Sequence, residues 1–128
     1  MKIDDVRKNI NDMSEKDQIK YLKILKPSSL IMYIQNSSIA VQMTAVIKNP
    51  FSITYIKNPS KDVQLIAVRQ DGFSIYYIKN PSDVVLITAL QQMLISEKID
   101  LAKSILKKYP NRNNLELDLI RQTIQDGK

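Results

Sequence analysis

One phrase returns in this chain at a fixed offset of 22 residues: Tyr33-Ile34-Gln35-Asn36, then Tyr55-Ile56-Lys57-Asn58, then Tyr77-Ile78-Lys79-Asn80. Its surroundings return with it. Tyr55 to Gln70 and Tyr77 to Gln92 agree at nine of sixteen positions, and Phe51-Ser52-Ile53 reappears as Phe73-Ser74-Ile75. Self-similarity at a short fixed period marks a stacked architecture, in which a unit too small to bury its own apolar face leans on the next. The expected fold is therefore all-α. It is a short, right-handed α-solenoid of two-helix units, each about 22 residues long, with an atypical helical cap at each end.

Local chemistry supports that reading. In the middle copy, Asn58 suits a left-handed ending to the preceding helix, and Pro59 has no backbone donor with which to continue it. Ser60 then caps a helix over 61–70, with Asp62 in the first turn where the helix dipole favours an acid. The second helix of the unit starts after Asp71-Gly72, or after Asn49-Pro50 one copy earlier. At barely two turns it depends on packing for its stability. Ala45, Ala67 and Ala89 share one register, as expected where helices approach closely.

The flanks read as caps. Ile3, Val6, Ile10 and Met13 recur at helical spacing, so a short helix is expected over 3–11. Ser14 and Asp17 suggest the start of the next, with Ile19, Leu22 and Leu25 facing inward and Pro27 ending it or starting the one after. Ile31 falls in register with Ile53 and Ile75, which makes 14–32 a degenerate first repeat. Beyond Gln92 the apolar run continues without a break, so a longer helix is expected over 83–95. Ser96 is then read as the cap of a helix reaching Lys108, followed by a turn at 109–113 and a last helix over 114–125. The 128-residue chain is thus one domain in three parts: 1–32, 33–92 and 93–128.

Composition narrows the chemistry. The chain contains neither histidine nor cysteine, so it lacks the commonest general base, the commonest metal ligand and the best nucleophile. Asp62, Asp71 and Asp83 all stand where helix starts want an acid. Glycines are isolated at 72 and 127, which is no phosphate-cradling loop. The expected protein is not an enzyme and needs no cofactor or metal. No run approaches the ~20 apolar residues that cross a bilayer, and the N-terminus has no apolar signal core. A cytoplasmic location without membrane contact is the expectation.

The repeated units carry Tyr-Ile-Lys-Asn-Pro-Ser followed by Val and Ala at fixed places, then Asn-Pro-Phe-Ser-Ile or Asp-Gly-Phe-Ser-Ile. This pattern resembles the short α-helical repeats of an uncharacterised bacterial and viral family. Val63 to Gln70 matches that family's first element, and Phe73 to Tyr77 its second. It is similar, more distantly, to leucine-rich-repeat-variant and HEAT-like α-solenoids. The resemblance covers about 33–92. It implies a solenoid that binds proteins, or in some relatives nucleic acids, and some copies belong to small phage-derived proteins.

Charge points to a surface. The chain carries a net +6, and between Lys20 and Lys108 twelve basic residues face five acidic ones. Gln35, Lys57 and Lys79 form one ladder, with Lys48 and Arg69 near equivalent turns. Such a track suits phosphates, although lysines near helix ends also complement the dipole and keep an array soluble. Tyr33, Tyr55 and Tyr77 form a second ladder, suited to packing between units and alternatively to stacking or hot-spot contacts on a binding surface, and Phe51 and Phe73 are read as core. Tyr76, without an aromatic counterpart at Thr54, is expected to be the more exposed contact residue. Met93, Leu94 and Ile95, where the period breaks, are candidates for self-association into a homodimer. The leading expectation is a non-enzymatic protein-binding module, an adaptor or inhibitor of the kind a phage or mobile element encodes, using Lys48, Lys57, Arg69, Tyr76 and Lys79. The alternative is nucleic-acid binding along the lysines.

Overall fold

The computed structural model describes residues 2–26 and 30–126, and within them the regular structure is helical throughout. The α-helices are α1 (Ile3–Asn9), α2 (Glu15–Ile24), α3 (Ile39–Lys48), α4 (Lys61–Gln70), α5 (Asp83–Ile95), α6 (Ile99–Lys108) and α7 (Leu115–Asp126). Four 3₁₀ segments stand among them: Ile10–Asp12, Ile31–Tyr33, Pro50–Tyr55 and Gly72–Tyr77. Pro27, expected to end the second helix or start the next, lies outside the described residues.

The recurring phrase is where local geometry repeats. The hydroxyls of Ser38, Ser60 and Ser82 each accept the backbone N–H three residues on, from Val41, Val63 and Val85, so each satisfies one orphan donor at a helix start. Ser14 does the same for Asp17. Asn49 and Asp71 start the 3₁₀ segments by accepting from Phe51 and Phe73 N–H, both at 3.0 Å. Asn36, Asn58 and Asn80 all take φ near +50°, a region Asn tolerates better than other side chains. In the middle copy this bend stands three residues past the end of Pro50–Tyr55 and aims the chain into α4.

Packing follows the same period. Ile31, Ile53 and Ile75 are buried at one register, and so are Val41, Val63 and Val85, then Ala45, Ala67 and Ala89. Each α-helix from α2 to α5 packs against its successor, and each of the two longer 3₁₀ segments packs against the helices on either side of it. Side chains span the steps: Gln70 Nε2 donates to Val46 O at 2.6 Å, and Lys48 Nζ donates to Lys23 O and, at 2.8 Å, to Leu25 O.

The second element of each unit is a 3₁₀ helix rather than an α-helix. With three residues per turn, Ile53 and Ile56 share one face, as do Ile75 and Ile78, and all four are buried. Phe51 and Phe73, expected in the core, are only half buried. They lie at the start of their segments, one 3₁₀ position before the buried Ser52 and Ser74, and meet edge to face with centroids 6.2 Å apart.

Ser52 and Ser74 are fully buried, and neither Oγ has a hydrogen-bond partner. The register one unit earlier holds the buried Leu30, so this column accepts an apolar side chain. An unpaired buried hydroxyl costs free energy that alanine does not incur. Ser52→Ala and Ser74→Ala are each expected to stabilise the fold by about 1 kcal/mol, or ~4 °C in a thermal melt of a chain this size. A fall in midpoint for either would mean that the hydroxyl has a partner in solution.

The caps depart from expectation in two places. Ser14 precedes Ser38 by 24 residues while Ile31 precedes Ile53 by 22, so the first unit carries two extra residues between its helix and its 3₁₀ segment. At the other end, Ser96 does not start a helix. It ends α5: Glu97 turns left-handed at φ 60°, Glu97 N donates to Leu94 O, and Lys98 N to Met93 O at 2.7 Å. This is a Schellman closure with Glu where glycine is usual, and α6 starts at Ile99 without a side-chain cap. A further tie closes the N-terminal end, where Gln18 Nε2 donates to Ile10 O at 2.9 Å from a buried position.

Candidate binding surface

The bends at 33–37, 55–58 and 77–79 create two successive clefts. The first holds about 550 Å³ and is lined by Gln35, Asn36, Gln42, Tyr55 and Lys57, with Met32 at its side. The second holds about 480 Å³ and is lined by Thr54, Lys57, Asn58, Gln64, Tyr77 and Lys79. Position for position, Gln35, Asn36, Gln42, Tyr55 and Lys57 of the first become Lys57, Asn58, Gln64, Tyr77 and Lys79 of the second. The clefts are one site written twice, and among the described residues Lys57 and Lys79 are the only charged ones lining them.

Local structure positions each group. Gln42 and Gln64 lie in the first turn or so of α3 and α4, four residues after the serine caps. Their Nε2 atoms donate back to Ser37 O and Pro59 O, each at 3.0 Å. Gln42 Oε1 is buried and unpartnered, so an acceptor stands unused beside the first cleft. Asn11 Oδ1 accepts Gln35 N–H at 2.7 Å and ties the N-terminal cap to the ladder. Tyr33, Tyr55 and Tyr77 keep between 42% and 46% of their surface exposed. Tyr77 nevertheless packs edge-on against Phe51 of the unit before, with centroids 5.8 Å apart. Its ring lies between units, as expected, with substantial surface left over.

The structure separates the sequence-expected contact residues. Lys57 and Lys79 come together on the second cleft. Lys48 does not join them, because its ammonium is spent on the carbonyl end of α2, where the helix dipole favours a cation. Its true counterpart in the next unit is Gln70, which makes the same backward contact; Arg69 is exposed but one position out of that register. Tyr76, expected to be more exposed than the ladder tyrosines, is less so. Its ring tilts against Phe73 at 4.7 Å and Lys108 Nζ sits 5.8 Å from its centre, because α6 of the C-terminal cap reaches over the third unit.

Of the three residues expected to self-associate, Met93 is buried in the core and offers no surface, Leu94 is half buried against it, and Ile95 is 77% exposed. A helix of 13 residues turns its apolar run to several faces, so a continuous run does not make a continuous patch. The clefts' amides were missed in the sequence reading, although Gln42 and Gln64 stand 22 residues apart.

Among the described residues no group of three or more acidic side chains is placed to hold a metal, and no helix is long and apolar enough to cross a membrane. Comparison of the chain with family models, with curated proteins and with solved structures found no match.

Proposed function

We propose that this chain is a short α-solenoid of two-element units and a non-enzymatic binding module, which holds a segment of a protein partner along the face of the two clefts. The observation that carries this reading is the repetition of one polar cleft. Each cleft is bordered by a half-exposed tyrosine, provided with lysine and, among the described residues, free of acidic side chains. Tyrosine offers a large amphipathic contact at low entropic cost and is enriched at binding hot spots. Two equivalent sites in tandem favour an elongated partner over a compact one. The role suits a small adaptor or inhibitor of the kind mobile elements encode.

A second reading has its own support. Lysines alternating with exposed tyrosines also suit a single-stranded nucleic acid, with phosphates on Lys57 and Lys79 and bases on the rings. Fluorescence anisotropy separates the two, using labelled acidic peptides, single-stranded RNA and duplex DNA at low and near-physiological salt. The protein-binding reading expects a peptide to bind more tightly than either nucleic acid at near-physiological salt. Lys57→Glu with Lys79→Glu is expected to weaken binding about tenfold or more without moving the melting midpoint by over ~2 °C, since both side chains are exposed. RNA binding that collapses with salt, with no peptide bound, would put the second reading first.

A further inference from the structure

We infer that the segment held across the clefts is a left-handed polyproline II stretch with an acidic residue at every third position. This rests on the protein-binding reading above and adds the conformation and periodicity of the occupant.

The argument is one of spacing. Equivalent side chains on stacked units recur at the interhelical distance, ~8–10 Å. A polyproline II chain has three residues per turn and a rise of ~3.1 Å, so residues i and i+3 point the same way about 9 Å apart. It matches the ladder without strain. A β-strand brings residues back to one face at ~6.6 Å or ~13 Å and falls out of step. An α-helix meets the distance only between i and i+7, and its backbone groups are already paired internally.

Polyproline II needs no backbone partner, since its N–H and C=O groups stay in water, and the clefts ask for none: Gln42 and Gln64 spend Nε2 on their own bends. What recurs once per three residues is the acidic side chain, in step with Lys57 and Lys79. The rings of Tyr55 and Tyr77 border the two clefts, and aromatic-lined grooves are the usual dock for such pre-extended segments, whose ordering cost is low.

Anisotropy with two labelled peptides of equal composition tests this. One carries roughly four Glu-Pro-Pro triplets, ~37 Å long in this conformation; the other has the same residues with its glutamates contiguous. The triplet peptide is expected to bind at least about fivefold tighter. Lys57→Glu with Lys79→Glu is expected to cost it about tenfold and to confer binding of Lys-Pro-Pro triplets instead. Equal affinity for both acidic peptides would overturn the periodicity while leaving an anionic-peptide site standing. Binding of oligouridylate but of neither peptide would overturn both this inference and the protein-binding reading. Failure of all three probes to bind would do the same.

Discussion

Ile53→Ala is expected to cost about 3–4 kcal/mol. Ile53 is 1% exposed and sits at the middle of the column Ile31, Ile53, Ile75. Truncation removes three carbons, worth roughly 2.4 kcal/mol at ~0.8 kcal/mol per buried methylene, and the neighbours collapse only partly into the gap. Its position sharpens the effect, because the Pro50–Tyr55 segment packs against α3 on one side and α4 on the other. Urea titration followed by circular dichroism measures it, with Ile47→Ala as the control. Ile47 lies on α3 but is 59% exposed, and its truncation is expected to stay within about 0.5 kcal/mol. A loss below ~1.5 kcal/mol at Ile53 would mean that the column is not the continuous core described above.

That column was legible in the sequence because a repeated phrase turns one local solution into a period. Once Ile53 and Ile75 occupy the same place in the phrase, burial of one implies burial of the other. The caps were legible for a similar reason: Ser60 and Ser82 each precede a helix and act on the N–H three residues on, which is a purely local matter. What escaped depends on groups far away in sequence. Tyr76 looks free from its own unit, since Thr54 and Met32 at the same register are exposed, but α6 returns over it and brings Lys108. Lys48 looks like part of a surface track until α2 presents its carbonyl end. Glu97 carries no local sign of a left-handed turn. Its conformation follows from Lys98 and Glu97 both donating back into the last turn of α5.

The candidate site divides along the same line. Lys57 and Lys79 were found because they belong to the repeated phrase itself. Gln42 and Gln64 were passed over because the third copy has Leu86 in their place, which obscures the period. That substitution has a physical counterpart. Leu86 is fully buried, so the amide pair exists only where the two clefts exist, and α5 turns the same register to the core.

Gly72→Ala is expected to destabilise by about 2 kcal/mol, against what its local conformation would suggest. Gly72 does not have a positive φ, so alanine there would ordinarily gain ~0.4–1 kcal/mol through the unfolded chain. Space decides otherwise. A Cβ at this position would stand 2.7 Å from Ala89 O and 3.1 Å from Met93 Cγ. The sulfur-bearing chain of Met93 can shift, whereas the carbonyl belongs to the backbone of α5 and moves only with the helix, a strain of ~1–3 kcal/mol or more. The repeat itself supplies the decisive comparison. Position 50, one unit earlier, holds proline, so repeat consensus alone would recommend Gly72→Pro as a stabilising change. The structure predicts that Gly72→Pro, which adds a Cβ at the same place, falls in melting temperature along with Gly72→Ala. If either variant melts at or above the parent, α5 does not approach the Gly72–Tyr77 segment as closely as described. Both falling would fix the reason for the single internal glycine: the third unit closes on a longer helix, and only a residue without a side chain lets that helix come near.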